Sequence, residues 1–207
     1  MDTSILFAIN GAHTPALDKL MWWFSQSTNP LWLTIYALLI IAIVWLYRGQ
    51  NTFRSWLPLI GALVTIAIVV GLSDYISSGI IKPFVGRLRP SHTIELCNKL
   101  HIVNNYRGGP FGFPSSHAAN TMAVTTISWL LCGVHRHRTV GRTTLKPYIN
   151  GAAIGLFLIY VLPNCISRIY LGVHYPSDVI IGMILGFEIA MIAFCFFYLG
   201  FRKILIH

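Results

Sequence analysis

The chain has 207 residues, of which 55% are hydrophobic and only 10% are charged, and its mean hydropathy is +0.66. Soluble domains average about 25% charged residues, so this composition excludes an ordinary soluble protein and predicts a single membrane-embedded domain over residues 1–207. The formal net charge is +9, and because no basic face with base-reading side chains is visible, it indicates contact with anionic lipid or phosphate and not with nucleic acid.

The first predicted element is an N-terminal amphipathic segment within residues 1–28. Apolar side chains recur at helical spacing between Leu17 and Phe24, but the charged pair Asp18 and Lys19 interrupts the apolar run. Adjacent charges oppose insertion across a bilayer, so we expect a helix that lies in the membrane interface. A broken sixth span is the alternative.

Five later stretches are long and apolar enough to cross a bilayer as helices, which takes about 20 residues. They cover residues 30–48, 56–81, 117–134, 148–166 and 178–201, and the third is shorter and more polar than the rest. Only helices and closed barrels span lipid, and these runs are too long for barrel strands. The sequence therefore predicts an all-α fold, a polytopic membrane helical bundle with five clear spans plus the N-terminal interfacial or sixth helix.

Basic residues divide unevenly between the two ends of these spans. One end carries eight: Arg48, Arg54, Arg136, Arg138, Arg142, Lys146, Arg202 and Lys203. The other end carries six, and setting aside Lys82, Arg89 and Arg168, which fall in polar clusters suited to chemistry, leaves three. The positive-inside rule then places the eight in the cytoplasm. We expect a multi-pass protein of the cell inner (cytoplasmic) membrane, with an extracytoplasmic loop at 82–116 and a site facing the periplasm or exterior.

Three polar clusters fall at this outward end. KPFVGRLRPSH, residues 82–92, follows the second span, GFPSSHAAN, residues 112–120, opens the third, and SRIYLGVHYPSD, residues 167–178, joins the fourth to the fifth. Alternating spans bring all three clusters to the same surface. Ionisable side chains at a membrane face usually mark function, so we expect one shared site there.

The clusters suit the binding of phosphate. Lys82, Arg89 and Arg168 supply three cations, and guanidinium forks match phosphate oxygens. The helix that begins at PSSH offers free N–H groups and the positive end of its dipole, and Ser115 can add a hydroxyl. The sequence therefore predicts an anion site that accepts a phosphoryl group.

Two histidines add chemistry to this phosphate site. Asp178 follows His174 by four residues, so its carboxylate can reach back to one ring N–H and leave the other nitrogen free to attack phosphorus. His117, at the start of the third span, would protonate the leaving oxygen and then deprotonate the attacking water. Because cations and a helix terminus stabilise the charge, we expect neither a metal nor another cofactor.

Further polar residues lie in or beside these clusters. Asp74 precedes Lys82 by eight residues, and Asn120 lies one turn inside the third span. We expect both to make supporting hydrogen bonds near the site. Arg87 and Arg107 could attract an anionic substrate, but we interpret both as solvated loop residues.

The spacing of these residues resembles the signature of the type 2 phosphatidic acid phosphatase superfamily. That signature is Lys, six residues, Arg-Pro; then Pro-Ser-Gly-His; then Ser-Arg, five residues, His, three residues, Asp. The chain reads KPFVGRLRP, PSSH and SRIYLGVHYPSD, with Ser116 at the usual glycine position. With its flanking helices the match covers residues 72–185.

The resemblance implies a bundle of usually six membrane helices and metal-independent hydrolysis of phosphate esters. It implies His174 as the nucleophile, Asp178 as its orienting partner and His117 as acid and base. For phosphate binding it implies Lys82, Arg89, Ser115, Arg168 and the backbone N–H of Ser116.

We therefore expect hydrolysis of a lipid phosphate or pyrophosphate through a phosphohistidine, with undecaprenyl pyrophosphate as the first choice. Phosphatidylglycerol phosphate, phosphatidate and the lipid A 1-phosphate are also compatible substrates. A lipid phosphotransferase is an alternative enzyme, and a lipid-binding or transport protein is the non-enzymatic alternative. The sequence leaves the oligomeric state open.

Overall fold

The structure of the chain is a computed structural model that describes residues 1–47, 53–139 and 146–206. Two of the basic residues assigned to the cytoplasmic end, Arg48 and Arg142, lie outside the described residues. Side chains are likewise not described for Arg54, Arg136, Arg138 and Lys146.

The described residues form α-helices and no β-strand: α1 Asp2–Gly11, α2 Pro15–Ser25, α3 Pro30–Tyr47, α4 Phe53–Asp74, α5 Lys82–Val85, α6 Ile94–Cys97, α7 Ser116–Thr139, α8 Lys146–Leu156, α9 Leu162–Tyr170 and α10 Pro176–Ile206. Two π-helical segments, Tyr75–Ile81 and Phe157–Val161, join α4 to α5 and α8 to α9. The loop before α7 adds 3-10 turns at Pro90–His92 and Val103–Asn105 and one antiparallel bridge between Leu88 and Phe111. The predicted all-α fold is confirmed.

Four helical stretches of the described chain are long and apolar enough to cross a membrane: Pro15–Tyr47, Trp56–Val85, Asn150–Tyr170 and Pro176–Leu205. They include four of the five predicted spans, so the protein is a multi-pass membrane protein. The remaining prediction corresponds to α7, which has 24 residues and is more polar. Its Thr121, Thr125 and Ser128 side chains are buried inside the bundle, because α7 is surrounded by other helices and not by lipid.

Helices α7 and α10 run parallel and in close contact. A Cβ atom at Gly182 or at Gly186 would collide with backbone carbonyls of α7, and small residues at this spacing let two helix backbones approach closely. Where the helices begin, the Ser115 N–H donates to the Asp178 carbonyl at 2.9 Å. The start of α7, which carries His117, is therefore fixed against the start of α10.

The N-terminal segment is docked on the protein. The Asn10 amide donates to the carbonyls of His101 at 2.8 Å and Tyr170 at 2.7 Å. Asp18 accepts from the Tyr170 hydroxyl at 2.6 Å and pairs with His101 Nε2 at 2.9 Å. The Asp18 carboxylate, whose charge argued against insertion, is thus hydrogen-bonded inside the fold. An interfacial position for residues 1–28 stays a prediction.

Candidate active site

A cavity of about 580 Å³ opens where the three polar clusters meet. Six of the predicted site residues line one end of it: Lys82, Arg89, Ser116, His117, Arg168 and His174. The other end is bounded mainly by apolar side chains of α3, α4 and α7: Leu39, Ile40, Ile66, Val70 and Val124. One space therefore joins a cationic end to an apolar end, and the predicted convergence of the clusters is present in the geometry.

His174 lies in the turn between α9 and α10, where it is only 1% exposed. Its Nε2 atom lies 2.8 Å from Nη1 of Arg89. Because a guanidinium only donates, Nε2 must carry a lone pair, which assigns the ring proton to Nδ1. Burial, followed by the positive charge of Arg89, holds the pKa of His174 well below the usual 6.5. The ring is therefore neutral, with its lone pair on Nε2.

Asp178 lies in the first turn of α10 and is completely buried. Its Oδ2 atom is 3.6 Å from Nδ1 of His174, which is too long for a hydrogen bond. Oδ2 accepts instead from the Tyr175 N–H at 2.9 Å, and Oδ1 accepts from Arg87 at 2.7 Å. The predicted direct hydrogen bond is thus not formed in this structure, because the backbone turn and Arg87 use the carboxylate. Asp178 still presents its charge to the protonated side of the ring.

The interpretation of Arg87 as a solvated loop residue is wrong. Its Nη1 atom donates to Asp178 and to the Ser177 hydroxyl, both at 2.7 Å, and its Nη2 atom contacts Asp2 at 2.7 Å. The guanidinium carbon also lies 4.1 Å from the centre of the Tyr175 ring. Arg87 therefore links α1 to the carboxylate behind His174. The sequence contained one indication of this role, because Asp178 was expected at a membrane face and a buried carboxylate requires a cationic partner.

Arg89 and Arg168 are buried cations. Burial, together with repulsion from Arg168, lowers the pKa of Arg89 to about 10, so it remains protonated at neutral pH. Arg168 donates to the hydroxyls of Ser25 and Tyr106. The Nε atoms of both arginines are buried and have no hydrogen-bond partner among the described residues. Unpaired cationic donors in a buried site favour an anionic ligand.

Tyr106 and Ser25 were missed from sequence, because neither belongs to a polar cluster. Tyr106 lines the cavity, and its hydroxyl lies 3.3 Å from Nη2 of Arg168. Although burial alone would raise the pKa of Tyr106, the Arg168 charge lowers it. Tyr106 contacts the Arg168 guanidinium from the loop before α7, and Ser25 contacts it from the end of α2.

The beginning of α7 contributes two serines in different ways. Ser116 Oγ accepts from Lys82 Nζ at 2.5 Å and lies 2.8 Å from the Ser78 hydroxyl, so its side chain is directed to the lysine. Ser115 is completely buried, and its hydroxyl receives the Ala118 N–H at 3.5 Å. Ser115 is not among the residues that line the described cavity. Its contact with phosphate stays a prediction.

His117 faces the same cavity as His174. Its Nε2 atom lies 3.3 Å from the Ser27 hydroxyl, in the turn between α2 and α3. The two imidazoles thus approach one space from α7 and from the turn before α10. This arrangement allows one ring to attack a bound group while the other exchanges protons with it.

Polar residues also lie deeper in the cavity. Asp74 and Asn120, predicted near the site, both line it, and the Asn120 amide donates to Asp74 Oδ1 at 3.3 Å. Asn164 of α9 lines it as well and was missed, since one asparagine in an apolar run gives no local signal.

Comparison with known proteins identifies a family and several relatives for this chain. The sequence model of the PAP2 superfamily, the type 2 phosphatidic acid phosphatases, matches residues 58–202. The chain is 32% identical over 188 residues to the lipid A 4'-phosphatase of Bacteroides thetaiotaomicron, covering 90% of this chain and 72% of that protein. It is 33% identical over 155 residues to the decaprenylphosphoryl-5-phosphoribose phosphatase of Mycobacterium tuberculosis, covering 74% and 68% of the two chains.

The fold is similar to that of a solved structure. The transmembrane PAP2 type phosphatidylglycerolphosphate phosphatase from Bacillus subtilis superposes with a TM-score of 0.63 at 20% identity, covering 94% of this chain and 83% of that one.

Proposed function

The chain belongs to the PAP2 superfamily, and from this membership we propose that it is a membrane lipid phosphatase that works through a phosphohistidine intermediate and without a metal. The observation that carries the proposal is the cationic end of the cavity, where the Nε donors of Arg89 and Arg168 are buried and unpaired among the described residues. A phosphoryl group supplies the acceptor oxygens that these donors lack.

The proposed nucleophile is Nε2 of His174. Its lone pair attacks phosphorus, a P–N bond forms, and the bond from phosphorus to the leaving oxygen breaks. The proton on Nδ1 faces the Asp178 carboxylate at 3.6 Å, so the positive charge that develops on the ring is compensated. Arg89, which contacts Nε2 at 2.8 Å, can transfer that hydrogen bond to a phosphoryl oxygen.

His117 is the proposed acid and base. His117 takes up a proton as the phosphate anion enters among the cations, and in the first step it gives that proton to the leaving oxygen and releases the lipid alcohol. In the second step a water molecule gives a proton to His117 and attacks the phosphohistidine, which releases inorganic phosphate and returns His174 to its neutral form. Lys82, Arg89, Arg168 and the N–H groups at the start of α7 stabilise charge on the phosphoryl oxygens.

The proposed substrate is a phosphate monoester on a lipid. The cavity supports this class because it joins the cations to an apolar wall formed by α3, α4 and α7, which suits an acyl or prenyl tail. The curated relatives named above carry phosphatase names that refer to phosphorylated lipids. Undecaprenyl pyrophosphate, the first choice from sequence, enters the substrate panel as the pyrophosphate to be tested.

We also propose that the site faces the periplasm or exterior from the inner membrane. The support is the distribution of basic residues in the sequence, eight at one end against three at the other once the three phosphate-site cations are set aside. Labelling of the native Cys97, in the 82–116 loop, by a membrane-impermeant maleimide in intact cells tests this, with Cys97→Ser as the control, and labelling only after lysis would contradict it.

The activity is tested with purified protein in detergent and EDTA. The panel contains phosphatidate, phosphatidylglycerol phosphate, a diacylated glucosamine phosphate and undecaprenyl pyrophosphate, and released phosphate is measured. We expect turnover of at least one lipid phosphate and loss of turnover in His174→Ala. Absence of turnover across the panel, or full activity of the variant, would overturn the proposal.

A further inference from the structure

The cavity contains a second polar group, one level deeper than the cations. It consists of Asp74 from α4, Asn120 from α7 and Asn164 from α9, all of which line the cavity. The Asn120 amide nitrogen donates to the Asp74 carboxylate at 3.3 Å, and the Asn164 amide nitrogen donates to the Phe24 carbonyl at 3.4 Å. Because both nitrogens face acceptors, the remaining atom of each amide is an oxygen.

These two amide oxygens are unsatisfied. Oδ1 of Asn120 and Oδ1 of Asn164 are buried and have no hydrogen-bond partner among the described residues. Asn164 as a whole is 2% exposed. Nearly all buried polar atoms in folded proteins find a partner, because leaving one without a partner is unfavourable. Two orphaned acceptors that line one cavity therefore indicate a ligand that donates hydrogen bonds.

The Asn120 and Asn164 amides lie where the leaving group of a bound phosphate ester would be. Asn120 follows Ser116 by four residues in α7, and Asn164 precedes Arg168 by four residues in α9. Each amide is thus one helical turn, about 6 Å, from a residue at the phosphate end. The group esterified to a phosphate bound by the cations would occupy that level.

We propose that the substrate carries hydroxyl or amide N–H donors directly beyond the phosphoester oxygen, as a sugar or glycerol headgroup does. The inference rests on the proposed phosphatase function. Hydroxyl or N–H groups at this level donate to the Asn120 and Asn164 oxygens, with one donor hydrogen for each acceptor. A prenyl chain would instead press methyl and methylene groups against the two buried amide oxygens and leave both unpaired, which is unfavourable. The headgroup is therefore a polyol or amino sugar and not a bare prenol.

The test compares phosphate monoesters that differ in the group beyond the phosphoester oxygen. Phosphatidylglycerol phosphate and phosphatidate with identical acyl chains differ by a hydroxyl-bearing glycerol. A diacylated glucosamine phosphate supplies the sugar, and the monoester farnesyl phosphate supplies the prenyl group. We expect wild-type kcat/KM to be at least about tenfold higher for a hydroxyl-bearing substrate than for phosphatidate or the prenyl compound. The glycerol and glucosamine compounds distinguish the two sources of the hydroxyl.

Two variants test whether the preference for a hydroxyl-bearing substrate depends on these amides. Asn120→Ala and Asn164→Ala should each reduce the ratio of kcat/KM for the preferred substrate to that for phosphatidate by about tenfold. Asn150→Ala is the matched control, since the exposed Asn150 amide contacts Trp129 at 3.2 Å and lies outside this cavity. Its ratio should equal that of the wild type.

The wild-type ratios decide the inference even if a variant does not fold. Equal or higher kcat/KM for phosphatidate or the prenyl compound would overturn it, and so would equal losses on all substrates in folded Asn120→Ala and Asn164→Ala. Absence of turnover of every compound would instead overturn the proposed phosphatase function itself.

Discussion

Nη1 of Arg89 lies 2.8 Å from Nε2 of His174, so the proposed nucleophile is hydrogen-bonded to a cation of the proposed phosphate site. The contact fixes the tautomer of His174 and prevents its reactive nitrogen from taking up a proton. A phosphoryl oxygen that accepts from the same guanidinium would release the lone pair directly beside phosphorus. Binding of the substrate and exposure of the nucleophile are therefore coupled in one residue pair.

Substitution of His174 should prevent formation of the P–N bond, whereas substitution of His117 should impair proton transfer. His174→Ala should lower kcat at least about a thousandfold, because the P–N bond cannot form. His117→Ala should lower turnover of phosphate monoesters strongly and of a pyrophosphate less, since pyrophosphate leaves with less help from an acid. Turnover assays combined with trapping of a labelled phosphoenzyme under alkaline quench would measure both effects.

The matched control for these histidines is His13→Ala. His13 is exposed and stacks on His101 in the N-terminal segment, outside the cavity. A labelled phosphoenzyme in His174→Ala would contradict the assignment of the nucleophile.

Arg87 should support turnover from outside the cavity. Arg87→Gln removes the cation from Asp178 and Asp2, so the buried carboxylate should shift away from His174, and kcat should fall about ten- to a hundredfold with little change in KM. Arg87→Lys should restore part of the rate. Steady-state kinetics on folded protein measure this, with Arg202→Gln near the far end of α10 as control. A loss of thermal stability without any change in kcat would contradict a positioning role.

Ser116 occupies the position where the superfamily signature has glycine. Ser116→Gly should keep kcat/KM within about threefold of the wild type, since the backbone N–H at the start of α7 remains available. Ser116→Val should lower it about tenfold, because a bulkier, branched side chain enters the space beside Lys82, whereas both variants equally remove the acceptor that lies 2.5 Å from Lys82 Nζ. Kinetics with a short-chain lipid phosphate compare the two variants. A stronger loss in the glycine variant would show that the hydroxyl itself is needed.

The close packing of α7 on α10 should depend on Gly186. Gly186→Ala places a methyl group against an α7 carbonyl, and overpacking of this kind costs about 1–3 kcal/mol. Gly200→Ala in the same helix is the matched control, because no atom lies within 4 Å of the added Cβ. Thermal unfolding in detergent should show a lower midpoint for Gly186→Ala alone. Equal midpoints would contradict the packing.

His174 should stay neutral under mildly acidic conditions. Burial and Arg89 lower its pKa below 6.5 in the folded protein, so selective ¹⁵N labelling should show no protonation of this ring at pH 6.5. The unfolded chain takes up a proton there that the folded chain excludes, so stability should decline as the pH falls below 6.5. Protonation of His174 at or above pH 6.5 would contradict the buried environment.

The sequence predicted the spans and the converging clusters because both depend on local signals. Hydropathy over 178–201 marks α10, and the spacing within SRIYLGVHYPSD places His174 and Asp178 at its start. The polar α7 was recognised by length, although its composition reflects a position inside the bundle and not against lipid.

Contacts between distant residues could not be predicted in the same way. Arg87 meets Asp2 across 85 residues and Asp178 across 91, and no local pattern pairs them. Asn164 becomes significant only when α9 is placed against the cavity. The Ser115 hydroxyl was assigned to phosphate from its motif, whereas its burial at the start of α7 follows from how that helix packs on α10.

The link from Asp2 through Arg87 to Asp178 has a consequence for biosynthesis. Asp178 follows Asp2 by 176 residues, and at about 5–20 residues per second a ribosome needs on the order of ten seconds or more to make the chain between them. The contact closes only when α10 has been released into the bilayer beside the rest of the chain. Arg87, Arg89 and His117 are therefore part of the nascent chain well before the carboxylate behind His174 is in place.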